Sequence, residues 1–345
     1  MSSNKSTNNF TLVVKAGVIN PTLVEFLMTF NILICAEVIG IVGIVANFIN
    51  IWNFKKQGLH DSVNISLTAL AVSDIGALFF QLVVNVLFNP LWRRVQLPFY
   101  SSTVLAMVFF YPHGYFIRVS GFITAFAAFE RCLCVVLPMD VKRIMTRNVA
   151  IVVNFLIFVV LLLYLYPEHS VVYYDWLFIP TQNRSVITFF FREDFENVMT
   201  FTNIINDLFI PYITYVSLII CTMIIVVQLK SKAKWRQSVT GKVISSGLSK
   251  TELSIKDKKA VIMLTVVSVI YVTCLTPECV LMTVIGFIQD MKVEGPLWDL
   301  FLTIYSFSSL LETINCSVSI LVYYNMSTKY RETLHMWFPK LGHKF

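Results

Sequence analysis

Seven apolar stretches, each long enough to cross a bilayer, constrain this chain more than anything else in it. They cover about 28–54, 63–88, 101–134, 148–167, 201–229, 259–288 and 297–323. A hydrocarbon core of about 30 Å takes about 20 apolar residues in a helix, because each backbone N–H and C=O must be satisfied within the segment itself. Short connections separate the stretches and leave no room for a soluble domain. The expectation is an all-α, seven-transmembrane-helix bundle filling the whole chain, 1–345, with 1–27 as an extracellular N-terminus. At 57% hydrophobic and 14% charged residues, the chain also lacks the polar surface that a soluble protein of this size needs.

Lys and Arg placement sets the expected orientation. Lys55, Lys56, Lys142, Arg143, Arg147, nine residues in 230–259 and four in the tail put 18 on one side; the other side holds seven. This places the N-terminus outside and the C-terminus inside, as in a multi-pass protein of the plasma membrane. The sequons at Asn4, Asn9 and Asn183 fall on the outer side and are candidate glycosylation sites. The first 25 residues are polar and carry no cleavable signal pattern, so the first span is expected to act as an uncleaved anchor. The net charge of +7 sits in short loops, which points to membrane lipid and away from nucleic acid. All seven cysteines lie in or near the spans, so an external disulfide is not expected.

Charged residues inside apolar stretches are costly and therefore informative. Glu130 and Arg131 close the third span at its inner end, and Asp74 lies in the middle of the second. Towards the outer side are His113 and Arg118 on the third span, Asp207 on the fifth, Glu278 on the sixth and Glu312 on the seventh. Pro112, Pro211 and Pro277 each remove a backbone donor within a span and favour kinks. Gly40 and Gly43 mark a packing face on the first span. The longest external segment is 168–200, and the internal loop 230–258 is basic. Past the seventh span, Tyr330, Leu334, Trp337 and Phe338 recur at helical spacing, which predicts an amphipathic helix over 326–338 at the inner interface.

Residues 28–338 resemble the rhodopsin-like, class A, G-protein-coupled receptors. The resemblance rests on Leu70-Ala71-Val72-Ser73-Asp74, Glu130-Arg131-Cys132 with Pro138 after it, Pro211, Cys274-Leu275-Thr276-Pro277, the run Asn315 to Tyr323, and Lys329-Tyr330-Arg331. The string Phe129 to Pro138 is similar to molluscan and other invertebrate receptors of the chemosensory and FMRFamide-type peptide kinds. The chain also departs from the pattern. Ser319-Ile320 stands for Asn-Pro in the seventh span, Leu275 for the sixth-span Trp, and Ala106 for the third-span Cys.

The resemblance implies that Glu130, Arg131, Asp257, Pro277 and Tyr323 form the switch towards a heterotrimeric G protein, with Asp257 a second partner for Arg131. The competing reading has Arg131 snorkelling to headgroups. It also implies that Asp74, Asn47, Ser120, Asn315 and Ser319 surround a sodium ion, against which stands a plain polar network between helices. By the same resemblance Glu278 and Glu312 face a ligand cavity and suit a cationic group; alternatively His113 satisfies one of them internally. Arg118 and Asp207 are expected to pair. The function these readings imply is transduction of an extracellular peptide or chemosensory small molecule. A polytopic transporter or channel is the alternative, though no internal repeat supports it. No metalloprotease motif or nucleophile elbow points to an enzyme, and no metal or cofactor is implied beyond sodium.

Overall fold

The computed structural model describes residues 19–87, 98–99, 102–180, 183–240, 255–291 and 295–337. Among these, seven long helices run through the bundle: α1 (Pro21–Gln57), α2 (Ser62–Leu87), α3 (Ser102–Val136), α4 (Arg147–Val171), α5 (195–240), α6 (Ile255–Phe287) and α7 (Trp298–Met326). A shorter helix, α8 (Thr328–Trp337), follows. Six of the long helices carry an apolar window of membrane-crossing length. The remaining one, α7, is diluted by its own buried face, where Ser306, Ser308, Ser309, Glu312, Thr313 and Ser319 point into the protein. Together they make a multi-pass serpentine bundle.

The first helix begins at Pro21, seven residues ahead of the expected position 28. Asn20 caps it, its Oδ1 accepting from Thr22 N at 2.9 Å, and Pro21 sits where its missing N–H costs nothing. Within α1 the segment Thr29–Ala36 widens into a π-helix. A second π segment, Ile204–Phe209, interrupts α5 just before Pro211. There Ile210 N–H donates to Ile205 O, five residues back. The next donor in that pattern would be Pro211, which has none, so the Asn206 carbonyl is left for another group.

The external segment 168–200 is not a plain loop. It contains an antiparallel hairpin, β1 (Val172–Ile179) and β2 (Arg184–Phe191), with Val172 opposite Phe191 and Ile179 opposite Arg184. Asn183, exposed at the turn, takes a positive φ of 47°, which Asn tolerates better than most residues. Ile187 N donates to Pro98 O at 3.0 Å, and Phe99 bridges Ile187, so the hairpin is tied by backbone to the approach to α3. All seven cysteines are free thiols, so no disulfide supplements that tie.

A stripe of amides on α1 organises the opposite end. Asn47, Asn50 and Asn53 are fully buried. Asn47 Nδ2 donates to Cys316 O on α7 at 2.8 Å, and Asn50 Nδ2 to Ser319 Oγ at 3.1 Å. Tyr330 OH donates to Asn50 Oδ1 at 2.6 Å, while Asn53 Nδ2 donates to Tyr330 O at 3.1 Å. One polar ladder thus joins α1, α7 and α8. Apolar contacts reinforce it: Trp52 packs edge-on to Trp337 at 4.9 Å, and Tyr330 buries itself against Phe54 and Tyr323. Phe338, the last residue of the expected amphipathic pattern, lies outside the described residues. Glycines set the closest helix approaches. A Cβ at Gly43 would collide with the Ser317 side chain of α7, and one at Gly121 on α3 with the Tyr271 hydroxyl of α6.

Candidate ligand cavity and coupling site

Three polar groupings lie along the bundle axis. The first is a cavity of about 970 Å³ that starts at the first turns of α1 and α7, by Pro21 and Trp298, and reaches inward to Tyr271, Leu275 and Glu312. Its walls come from α1, α2, α3, α5, α6 and α7 and are mostly apolar. Among the described lining residues are four carboxylates, Glu25, Glu278, Asp299 and Glu312, with Arg118 as the one permanent cation. The size sits at the upper end of small-molecule sites, and a few polar groups in an apolar wall are what orients a ligand.

His113 is buried between three helices. Its Nδ1 lies 3.0 Å from Ala77 O on α2, and its Nε2 lies 3.2 Å from Glu312 Oε2 on α7. A carbonyl only accepts, so Nδ1 carries the hydrogen of the first bond. The second bond then holds one proton between imidazole and carboxyl, as an ion pair or as a neutral acid on a neutral ring. Glu312 is therefore engaged by the protein itself. Glu278, one residue past Pro277, lines the same cavity from α6. Arg118 Nε donates at 3.2 Å to the Asn206 carbonyl that the α5 π turn leaves over, and its Nη1 donates to Gly114 O at 3.0 Å. The expected Arg118–Asp207 pairing falls on a side chain outside the described residues, as does Asp257; Asn4 and Asn9 lie outside them too.

The second grouping surrounds Asp74. Ser120 Oγ donates to Asp74 Oδ1 at 2.8 Å, and a void of about 20 Å³ beside them is lined by Asp74, Ser120, Asn315 and Ser319. That volume suits one water-sized guest, and all four side chains offer oxygen donors. Asn47 does not line this void: its amide is spent on Gly43 O and Cys316 O, and its Oδ1 accepts from Asn50. It belongs to the ladder on α1. Tyr271 lines both the void and the large cavity, so it is the partition between them.

The third grouping ends α3. Arg131 Nη2 donates to Glu130 Oε1 at 2.8 Å, and Ser62, the first residue of α2, donates to the same oxygen. Glu130 is 1% and Arg131 6% exposed. Such burial argues against snorkelling, which would leave the guanidinium in headgroups. The pair is incomplete, since Glu130 Oε2 and Arg131 Nε are buried without hydrogen-bond partners. Tyr323 packs beside this end, buried against Phe54 at 5.3 Å.

Several of these residues were invisible to sequence reasoning. Ser62, the Asn50–Asn53 stripe, Tyr271, and a cluster of Glu37, Gln81 and Asn85 between α1, α2 and α7 carry no motif. Apart from Ser62, which precedes the second stretch, the signal that marks them is a polar side chain in an apolar stretch, which Asp74 shares.

A seven-helix membrane bundle with a large cavity near one end and a buried Glu–Arg pair near the other defines a serpentine receptor. The chain belongs to the family described as serpentine type 7TM GPCR chemoreceptor Srw, whose profile matches residues 30–340. Among curated proteins, none matches the chain. The family is one of receptors, which agrees with the lack of enzyme motifs.

Proposed function

We propose that this protein is a plasma-membrane chemosensory receptor, N-terminus outside, that passes the binding of a small ligand in the large cavity to a heterotrimeric G protein through Arg131. The resemblance to rhodopsin-like receptors supports the same polarity. The observation that carries the reading is the placement of the cavity and the Glu130–Arg131 pair towards opposite ends of one bundle. Among the described lining residues four carboxylates, with Glu312 already engaged by His113, stand against one permanent cation, which favours a cationic ligand, and the apolar walls favour one with an apolar body. A peptide fits only if it inserts no more than its end. The decisive experiment expresses the chain with a promiscuous G protein and screens apolar amines for a calcium response. Ligand-evoked current or uptake without a G-protein response would favour the transporter or channel alternative.

The Asp74 void is proposed to hold a sodium ion, with Asp74, Ser120, Asn315 and Ser319 as its oxygen donors. An ion that prefers the resting state lowers affinity for a ligand that prefers the active one. Agonist affinity should therefore fall when sodium replaces an organic cation at constant ionic strength, and Asp74→Asn should abolish that difference. Identical titrations in the two salts would leave the polar-network reading in its place.

A further inference from the structure

The corner where the end of α1 meets α8 gathers cations that neither the cavity nor the Glu130–Arg131 pair uses. Lys55 and Lys56 lie exposed in the last turn of α1. Lys56 Nζ sits 5.0 Å over the Trp337 ring of α8, and that ring is itself held edge-on against Trp52 of α1 at 4.9 Å. From α8, Lys329 Nζ donates at 3.3 Å to Gln57 O, the carbonyl that ends α1. An ammonium there answers the negative end of the helix dipole. Two helices thus bring three lysines to one corner, around an indole fixed by both.

The neighbouring acids are fewer. Asp61 Oδ1 accepts from Val63 N at the start of α2, and Glu332 lies exposed on α8, three residues from Lys329. The corner is therefore basic. Behind it, α1 presents Ile41, Val45 and Phe48, each more than half exposed and in line with Trp52 by helical spacing. In a bilayer that stripe meets acyl chains. An apolar stripe that runs into tryptophans and ends in lysines follows the profile of one phospholipid, from its tail through the interface to its phosphate.

We infer that the α1–α8 corner is a binding site for an anionic phospholipid of the inner leaflet, with an acyl chain along Ile41, Val45 and Phe48 and phosphate oxygens that accept from Lys55, Lys56 and Lys329. The inference rests on the proposed orientation, which turns this corner to the cytoplasm. Headgroups with charge beyond the phosphodiester, such as a phosphorylated inositol, gain most, because the added oxygens meet further ammonium groups. The site also has a route into the bundle. Asn53 Nδ2 donates to Tyr330 O, Tyr330 OH donates to Asn50, and Asn50 donates to Ser319 of α7. A lipid that bridges α1 and α8 tightens the same ladder that holds the end of α7.

The test titrates the full-length receptor in detergent with short-chain phosphatidylinositol monophosphate, phosphatidylserine and phosphatidylcholine, and reads bound lipid by native mass spectrometry. Affinity should fall in that order. The double variant Lys56→Gln/Lys329→Gln should weaken the inositol lipid about tenfold or more. The charge-matched variant Arg143→Gln/Arg147→Gln, elsewhere on the same side, should leave it within about twofold. All four side chains are exposed, so the fold is not at stake. Equal losses in both variants, no loss in the first, or equal affinity for the three lipids would overturn the site. Competition by the free inositol bisphosphate at equal concentration would overturn the lipid as its occupant. A second arm uses the wild type alone: a photoactivatable inositol lipid in cells should label peptides that contain Trp52 or Trp337, and labelling confined to other helices would count against the corner. A C-terminal epitope reached by antibody on intact cells would overturn the orientation, and with it the inner-leaflet source, even where the detergent titration succeeds.

Discussion

Arg131→Ala is expected to abolish ligand-stimulated G-protein activation. The guanidinium is buried, yet among the described residues it is held by a single hydrogen bond to Glu130, and one nitrogen of Arg131 and one oxygen of Glu130 remain unsatisfied. A charge in that condition is poorly settled and gains from an alternative partner, as a switch requires. Removing it strands Glu130 in the interior with Ser62 as its donor, and breaking a buried pair this way costs about 3–5 kcal/mol. Surface level should therefore drop in Arg131→Ala, and signalling must be normalised to it. Glu130→Gln is the complementary variant: it weakens the hold on Arg131 while keeping the shape, so basal signalling should rise. Normal signalling from Arg131→Ala at matched surface level would remove Arg131 from the coupling route.

The second large effect concerns the two acids of the cavity. Glu278→Gln should weaken the potency of a cationic agonist about tenfold or more, equivalent to about 1.4 kcal/mol, with potency normalised to surface level. Glu312→Gln should act differently, because Glu312 lies 3.2 Å from His113 and the pair ties α3 to α7. The Gln amide can still donate to the neutral His113 ring but offers no charge for an imidazolium, so the first effect is on folded yield, and His113→Ala, which removes the link outright, should lower it further. Potency and surface level, measured together in the three variants, distinguish the roles. Unaltered potency in Glu278→Gln would argue that no ligand cation sits there.

The seven spans were legible because the bilayer imposes a length and a composition on every one of them. Helix starts were less so: Asn20-Pro21 is a cap signal, but the apolar stretch begins later, and hydropathy alone places the start too far along. The hairpin was hidden for a different reason. Val172-Tyr173-Tyr174 and Thr188-Phe189-Phe190 carry strand-forming residues, yet between two membrane spans they read as connection. His113, Glu278 and Glu312 could be placed in one cavity from the family resemblance, but which acid His113 engages depends on a helix rotation that no spacing reveals. Asn47 illustrates the converse. The resemblance puts it beside Asp74, whereas in this chain Asn50 and Ser319 draw it into the ladder on α1.

The tie between the hairpin and α3 carries a consequence for how this receptor is made. A covalent crosslink at that place would restrict the hairpin's swing to what side-chain torsions permit, and would make correct assembly depend on an oxidising lumen. Here the tether is a backbone bridge at Ile187, reversible on the timescale of loop motion. The hairpin is therefore held to α3 by a contact that breaks and re-forms without redox chemistry. A reducing medium leaves that tie untouched, so production of the protein does not depend on thiol oxidation.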